Sequence, residues 1–222
     1  AGRQGTAAVH DLILNCEAQT VLVVEPDAAR RREAAARLKK LLGQRAGRIQ
    51  LQPAADRSDL KGTHAVLSCA PYAANPMLTK LALSAGVAFT DLGGNPEVVR
   101  AQQRLSARAK SAVVPDCGVS PGLTNILAVH CARVHGCDQV EVRCGGLPLD
   151  RPDPAHNPLQ YKLVFSARGL LSEYSGAVPV IRSGRLGSVP ALGVVEEFDA
   201  DHESSPTSNN SPQVVEYLRE CG

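Results

Sequence analysis

The residues best placed to do chemistry in this 222-residue chain are glycines and acids that follow short apolar runs. Gly2 and Gly5 bracket Arg3 and Gln4 and are followed by small residues, the spacing of the last part of a Gly-x-Gly-x-x-Gly turn. Glycines there let the backbone approach a pyrophosphate, and the N–H groups that open the next helix turn partial positive charge toward it. Glu25 lies 20 residues beyond Gly5, at the end of the next apolar run. A carboxylate there accepts hydrogen bonds from the adenosine ribose hydroxyls. Gly2, Arg3, Gln4, Gly5 and Glu25 thus read as a dinucleotide cradle, with a plain glycine turn beside a solvated Glu as the alternative. The Glu25 carboxylate would repel a 2′-phosphate, so NAD is expected over NADP. Arg30, Arg31 and Arg32 could hold such a phosphate, but with Lys39 and Lys40 they read better as a solvated helix face.

Three more loops carry polar groups in the same setting: Pro71-Tyr72, Asp91-Leu92-Gly93-Gly94 and Asp116-Cys117-Gly118. Each follows an apolar run, and ligands of open α/β sheets bind beyond the carboxyl ends of the strands. Together with Glu25 these loops point to one continuous cleft. Ser120-Pro121-Gly122-Leu123-Thr124-Asn125 then opens a helix whose first amides could hold an anion such as a substrate carboxylate; a well-capped helix is the other reading. Tyr161 and Lys162 place polar tips in an apolar strand and read either as site groups or as a packed Tyr161 beside a solvated Lys162. The six histidines are scattered and read as packed or surface residues.

The elements that must position these residues alternate. Helices are expected from Gly5 to about Cys16, from Asp27 as cap to about Leu42 before Gly43, from Asn75 as cap with Pro76 at the first position to Gly86, and from Asn95-Pro96 to about Lys110. Strands are expected at Thr20 to Glu25, Ile49 to Gln52, His64 to Cys69, Val87 to Thr90 and Ala112 to Pro115. This alternation implies a parallel sheet with helices on both faces. After Gly118 a helix to about His135, with Leu123, Ile126, Leu127 and Cys131 at core spacing, leads into strands at Gln139 to Cys144, Tyr161 to Ser166 and Val178 to Arg182, with a hairpin turn at Ser183-Gly184. The fold class is therefore α/β, a Rossmann-like parallel sheet followed by an α+β unit with a mainly antiparallel sheet. Residues 1–120 form the dinucleotide-binding domain and 121–222 a substrate and dimerisation domain, irregular from residue 200. The strand and first glycine that should precede Gly2 are missing, so the chain is expected to be an internal fragment.

Composition narrows the classes. A balance of 24 basic and 22 acidic residues leaves no electrostatic footprint for nucleic acid, and 3% aromatics without Trp supply no stacking platform. No apolar run reaches the roughly 20 residues that cross a bilayer. Seven cysteines without a Cys-x-x-Cys pair read as buried, reduced thiols of a cytoplasmic protein rather than as a metal site.

Several stretches resemble one family. Ser68-Cys69-Ala70-Pro71-Tyr72, Thr90-Asp91-Leu92-Gly93-Gly94-Asn95, the run Val114 to Asn125, Gly145-Gly146-Leu147-Pro148 and Asn157 to Ser166 occur in order. Together they resemble the saccharopine dehydrogenase-like family, most closely its lysine 6-dehydrogenase branch. The resemblance implies NAD(P)-dependent oxidation at the CH–NH group of an amino acid, a substrate held between two domains, and a homodimer. It places Tyr72, Asp91, Asp116, the Gly122, Thr124 and Asn125 helix start, Tyr161 and Lys162 around that substrate, with Pro71 and Gly93 beside the cofactor. Hydride transfer requires the donor carbon held against the nicotinamide and an amine that has lost its proton. Asp91, Asp116 and Tyr72 are the candidate bases; a carboxylate could instead hold the substrate ammonium. A reductive branch joining an amine to a carbonyl, and a nucleotide-binding or dimerising homologue without turnover, are the competing readings.

Overall fold

The computed structural model describes residues 2–16, 18–137 and 174–191, together with positions 140, 142, 144, 153, 155–157, 169, 171 and 193. The chain forms two compact units, Ala1–Lys162 and Leu163–Gly222. The first continues past the 120/121 division read from the sequence and includes the helix that follows it.

In the first unit helices and strands alternate apart from one step at which strand follows strand. They run α1 (Arg3–Leu14), β1 (Val21–Val24), α2 (Ala28–Leu42), β2 (Ile49–Gln52), β3 (Ala65–Ser68), α3 (Asn75–Ser84), β4 (Ala88–Asp91), α4 (Pro96–Ser106), β5 (Val113–Val114) and α5 (Leu123–His135). All its strand pairs are parallel. β1 pairs with β2, Val21 opposite Ile49. β3 pairs with β4, Ser68 opposite Asp91, and β4 pairs with β5, Phe89 opposite Val113. The single sheet expected from the alternation is therefore two parallel pieces, β1-β2 and β3-β4-β5, among the described residues. The second edges of β1 and β3 carry no strand there.

Local chemistry explains the boundaries. Asp27 caps α2 by accepting from Arg30 N at 2.8 Å, and Gly43 ends it at φ 55°. Asn95 caps α4 by accepting from Val98 N at 3.1 Å, with Pro96 in the first turn. Asn75, expected as a cap, lies inside α3 instead, where its Oδ1 accepts from Ser68 Oγ at 2.7 Å. Val9, Ile13, Val23, Leu38 and Leu42 form the core where α1 and α2 meet β1. Around β4 the interior is different. Phe89, Ala82 and Val87 are buried there beside Ser68, Asn75, Thr79, Asp91 and Gln102, and buried polar groups persist only when hydrogen-bonded.

Two expectations fail. Ile126 of α5 is 68% exposed and Leu123 46%, while Leu127 and Cys131 are half-buried, so the apolar stripe read as core on that helix is only partly covered, and no residue of α5 is buried. Cys16, Cys117, Cys137 and Cys144 are exposed rather than buried, although every cysteine described is free. Cys16 falls beyond the end of α1 and Cys117 in the loop after β5, outside both packed interiors.

In the second unit β6 (Ala177–Arg182) and β7 (Arg185–Pro190) form an antiparallel hairpin. It turns through Ser183 and Gly184 at φ 50° and 73°, the positive values that two-residue hairpin loops require. The expected strand Tyr161 to Ser166 lies outside the described residues, as does the strand Gln139 to Cys144 apart from Val140, Val142 and Cys144. Among the described residues no helix is long and apolar enough to cross a membrane, and no group of three or more His, Cys, Asp or Glu could hold a metal ion.

Candidate active site

The candidate site lies where the strands of the first unit end. Gly2 is the N-cap of α1 and offers no side-chain cap, so the amides of Arg3, Gln4 and Gly5 open an exposed helix N-terminus, a ready anion seat. A Cβ on Gly5 would lie 3.7 Å from Cys69 Cβ, which sets the start of α1 against the end of β3. At the end of β1, Glu25 is 9% exposed. Its Oε1 accepts from Asp27 N at 3.1 Å and its backbone carbonyl from Arg31 Nη1 at 2.5 Å. One carboxylate and a guanidinium thus share that strand end, with Arg30 exposed one residue before.

Tyr72 opens a short turn of 3-10 helix after Pro71. A Cβ on Gly94 would lie 3.7 Å from Tyr72 Cδ1, so this ring borders the loop after β4. That loop meets the next one more tightly still. A Cβ on Gly93, at φ 78°, would stand 2.9 Å from Asp116 Cα and collide with Asp116 Oδ1. Gly122, at φ 133°, would drive a Cβ to 2.8 Å from the Asp116 carbonyl oxygen. Only glycine serves at either position. Contacts therefore run from Gly5 to Cys69, from Tyr72 to Gly94, and from Gly93 through Asp116 to Gly122.

The two aspartates differ sharply. Asp91 is fully buried. Its Oδ1 accepts from Gly93 N at 2.8 Å and Asp116 N at 3.3 Å, and its Oδ2 from Gln102 Nε2 at 2.6 Å. These donors leave its carboxylate no open face. Asp116 is half-buried and sits at φ 60°, a left-handed conformation that few residues besides Gly, Asn and Asp adopt. Its Oδ1 is buried against Gly93 and has no hydrogen-bond partner. Burial pushes its pKa above the usual carboxylate value, the Gly94 N–H draws it back in part, and the Asp91 charge raises it further.

The α5 start corrects one expectation. Its first amides are not available to an anion: Leu123 N donates to Gly118 O at 2.9 Å, Thr124 N to Val119 O at 2.9 Å, and Asn125 N to Gly122 O at 3.1 Å. The chain from Asp116 folds back on itself and covers the helix end. Asn125 Oδ1 accepts from Gly122 N at 3.0 Å and Thr124 Oγ1 donates to Ser120 Oγ at 3.2 Å, so both side chains brace the turn. Tyr161 and Lys162 lie outside the described residues. The sequence reading gave Gln102, Thr79, Asn75 and Ser68 no place in the site. The signal was available for Gln102, a polar residue three after Val99 and four after Val98, on the inward face of α4.

Residues 1–115 match the model of the saccharopine dehydrogenase NADP binding domain, and residues 118–214 that of the saccharopine dehydrogenase C-terminal domain. The chain belongs to the saccharopine dehydrogenase family. It is 26% identical over 140 residues to the mitochondrial alpha-aminoadipic semialdehyde synthase of Bos taurus, covering 61% of this chain and 15% of that protein. It is also 26% identical over 136 residues to the saccharopine dehydrogenase [NADP(+), L-glutamate-forming] of Schizosaccharomyces pombe, covering 59% of this chain and 30% of that protein. The enzyme of the same name in Saccharomyces cerevisiae is 26% identical over 129 residues, 56% of this chain and 28% of that protein. The matched stretches thus span less than a third of these relatives. The family's first domain is described as NADP binding and both yeast relatives carry NADP(+) in their names, which points away from the NAD expected from Glu25.

Proposed function

We propose that the chain belongs to an NADP-dependent oxidoreductase acting on the CH–NH group of an amino acid, with residues 1–120 holding the dinucleotide and 121–222 contributing to the substrate side and to a homodimer. The reading is carried by the close approaches of Gly5 to Cys69, Tyr72 to Gly94 and Gly93 to Asp116, which set an anion seat and a half-buried carboxylate beside the ends of β3, β4 and β5. The residues fit a dinucleotide. The amides of Arg3, Gln4 and Gly5 would face the pyrophosphate, Glu25 and Arg30 the adenosine ribose, and Pro71 and Gly93 the nicotinamide end. The bound cofactor supplies the hydride acceptor. Family membership favours the 2′-phosphate form, and Arg30 and Arg31 beside Glu25 offer the positive charge that this phosphate needs.

In this reading the chain's own residues do the rest. Asp116 takes the proton of the substrate ammonium, and its raised pKa suits a base that must hold and release a proton. Tyr72 borders the same opening and orients the amine. Asp91 is a brace and does not touch substrate. Gly122, Thr124 and Asn125 shape the turn that presents Asp116, while Tyr161 and Lys162 are the proposed contacts to the substrate's distal polar groups.

Fluorescence titration with NADPH and NADH tests the cofactor: NADPH binds more tightly, and the reverse order would restore NAD. Glu25→Ala weakens NADH about tenfold, the worth of a charged hydrogen bond, and spares NADPH; an unchanged NADH affinity removes Glu25 from the ribose site. Amine-dependent reduction of NADP with lysine or saccharopine as donor tests the reaction. Cofactor binding without turnover, in either direction and over a range of amines, would favour a homologue that binds nucleotide and performs no chemistry.

A further inference from the structure

We propose that Gln102 is a positioning residue for Asp116, acting through Asp91: its side-chain amide locks the Asp91 carboxylate, and Asp91 locks the backbone on both sides of Asp116. The inference deepens the assignment of Asp116 as the proton acceptor and rests on it. Gln102 is fully buried on α4, and its Nε2 reaches Asp91 Oδ2 at 2.6 Å and Thr79 Oγ1 at 3.0 Å. The orientation of this amide is forced. Its Oε1 is buried without a partner, and flipping the amide would set that oxygen against the Asp91 carboxylate, acceptor against acceptor. Asp91 then uses its other oxygen for Asp116 N and its backbone carbonyl for Cys117 N, at 2.8 Å. The two amides that flank the Asp116 side chain are thus held by one residue, and that residue is aimed by Gln102. Asp116 needs such a hold, because its φ of 60° is a conformation that relaxes once the restraint is lost.

The buried polar stripe has a plainer role as packing, and the test separates the two. Gln102→Met keeps the length and removes the donor. Thr79→Val keeps the shape and removes the acceptor that steadies Gln102, while Thr79→Ser keeps that acceptor. In the full chain with NADPH bound, the amide NMR signals of Gly93, Asp116 and Cys117 move in Gln102→Met, move less in Thr79→Val, and stay at their wild-type positions in Thr79→Ser. With amino-acid substrate, kcat falls about tenfold or more in Gln102→Met, as sub-ångström misplacement of a reacting group does, while the NADPH dissociation constant changes by a smaller factor than kcat, since the pyrophosphate seat at α1 is not touched. Unmoved amides overturn the inference. So do amides that move while kcat holds. Where Gln102→Met does not fold, the Thr79 pair decides by the same two readouts. A wild-type chain that binds NADPH and turns over no substrate defeats the proposed reaction, and the amide signals alone then decide whether Gln102 governs the Asp116 turn.

Discussion

Asp91 and Asp116 stand at the ends of neighbouring strands, and their sequence surroundings, each an acid close to glycine, are much alike. Their hydrogen bonds separate them. Asp91 buries its carboxylate against three N–H groups, so an amide in its place sets N–H against N–H. Asp91→Asn is expected to cost about 2–4 kcal/mol, the range for a buried charged partner left unmatched, read from urea unfolding midpoints. Asp116→Asn behaves oppositely. Asparagine tolerates the φ of 60° that Asp116 adopts and can still accept from Gly94 N. Burial first, and the Asp91 charge as well, raise the Asp116 pKa. The stability it contributes is therefore complete below the pKa of the unfolded chain and is lost as pH rises through the folded value. At neutral pH Asp116→Asn leaves the unfolding midpoint unchanged or higher and flattens its dependence on pH across that window, while turnover falls about a hundredfold or more, as loss of a general base does. A variant that is both unstable and active would reverse the two roles.

At the scale of elements, α4 carries the most weight, because it delivers Gln102 to the site and rests on one polar cap. Asn95→Ala removes the acceptor of the 3.1 Å bond from Val98 N and should cost about 1 kcal/mol, seen in thermal melts, with a matching loss of amide protection over the first turn of the helix. The caps were legible in the sequence. Asp27, Gly43, Gly86 and Asn95 act by short-range backbone chemistry that a tripeptide already contains, and β2 runs over the expected residues. What failed depends on distant partners. Asn75 has the residue type of a cap, but Ser68 claims its side chain. The amides at the start of α5 look open until the turn from Asp116 to Gly122 is seen to fold back over them. β5 shrinks to Val113–Val114 because its length is set by what lies beside it, and no local pattern carries that. Gln102 reads as an ordinary surface glutamine unless the apolar face of α4 is drawn first.

For the whole molecule, the five expected strands and their parallel order were legible from apolar runs alternating with capped helices, whereas their division into two pieces shows only in the pairing. β4 is paired on both edges, by β3 and by β5. β1 and β3 are each paired on one edge, and their other edges carry no strand among the described residues. In a parallel ladder alternate residues donate to opposite neighbours, so an edge strand holds half of its amides and leaves the rest to solvent. Hydrogen exchange should follow this map. The amides of β4, among them Phe89 N, which donates to Ala112 O at 2.9 Å, exchange slowest. In β1 and β3 protection alternates residue by residue, the slow amides being those that face β2 and β4. Uniform protection along β1 would mean that another strand covers its second edge in solution, and a dinucleotide seat built on the ends of β1 and β3 would then be firmer than two half-paired edges can make it.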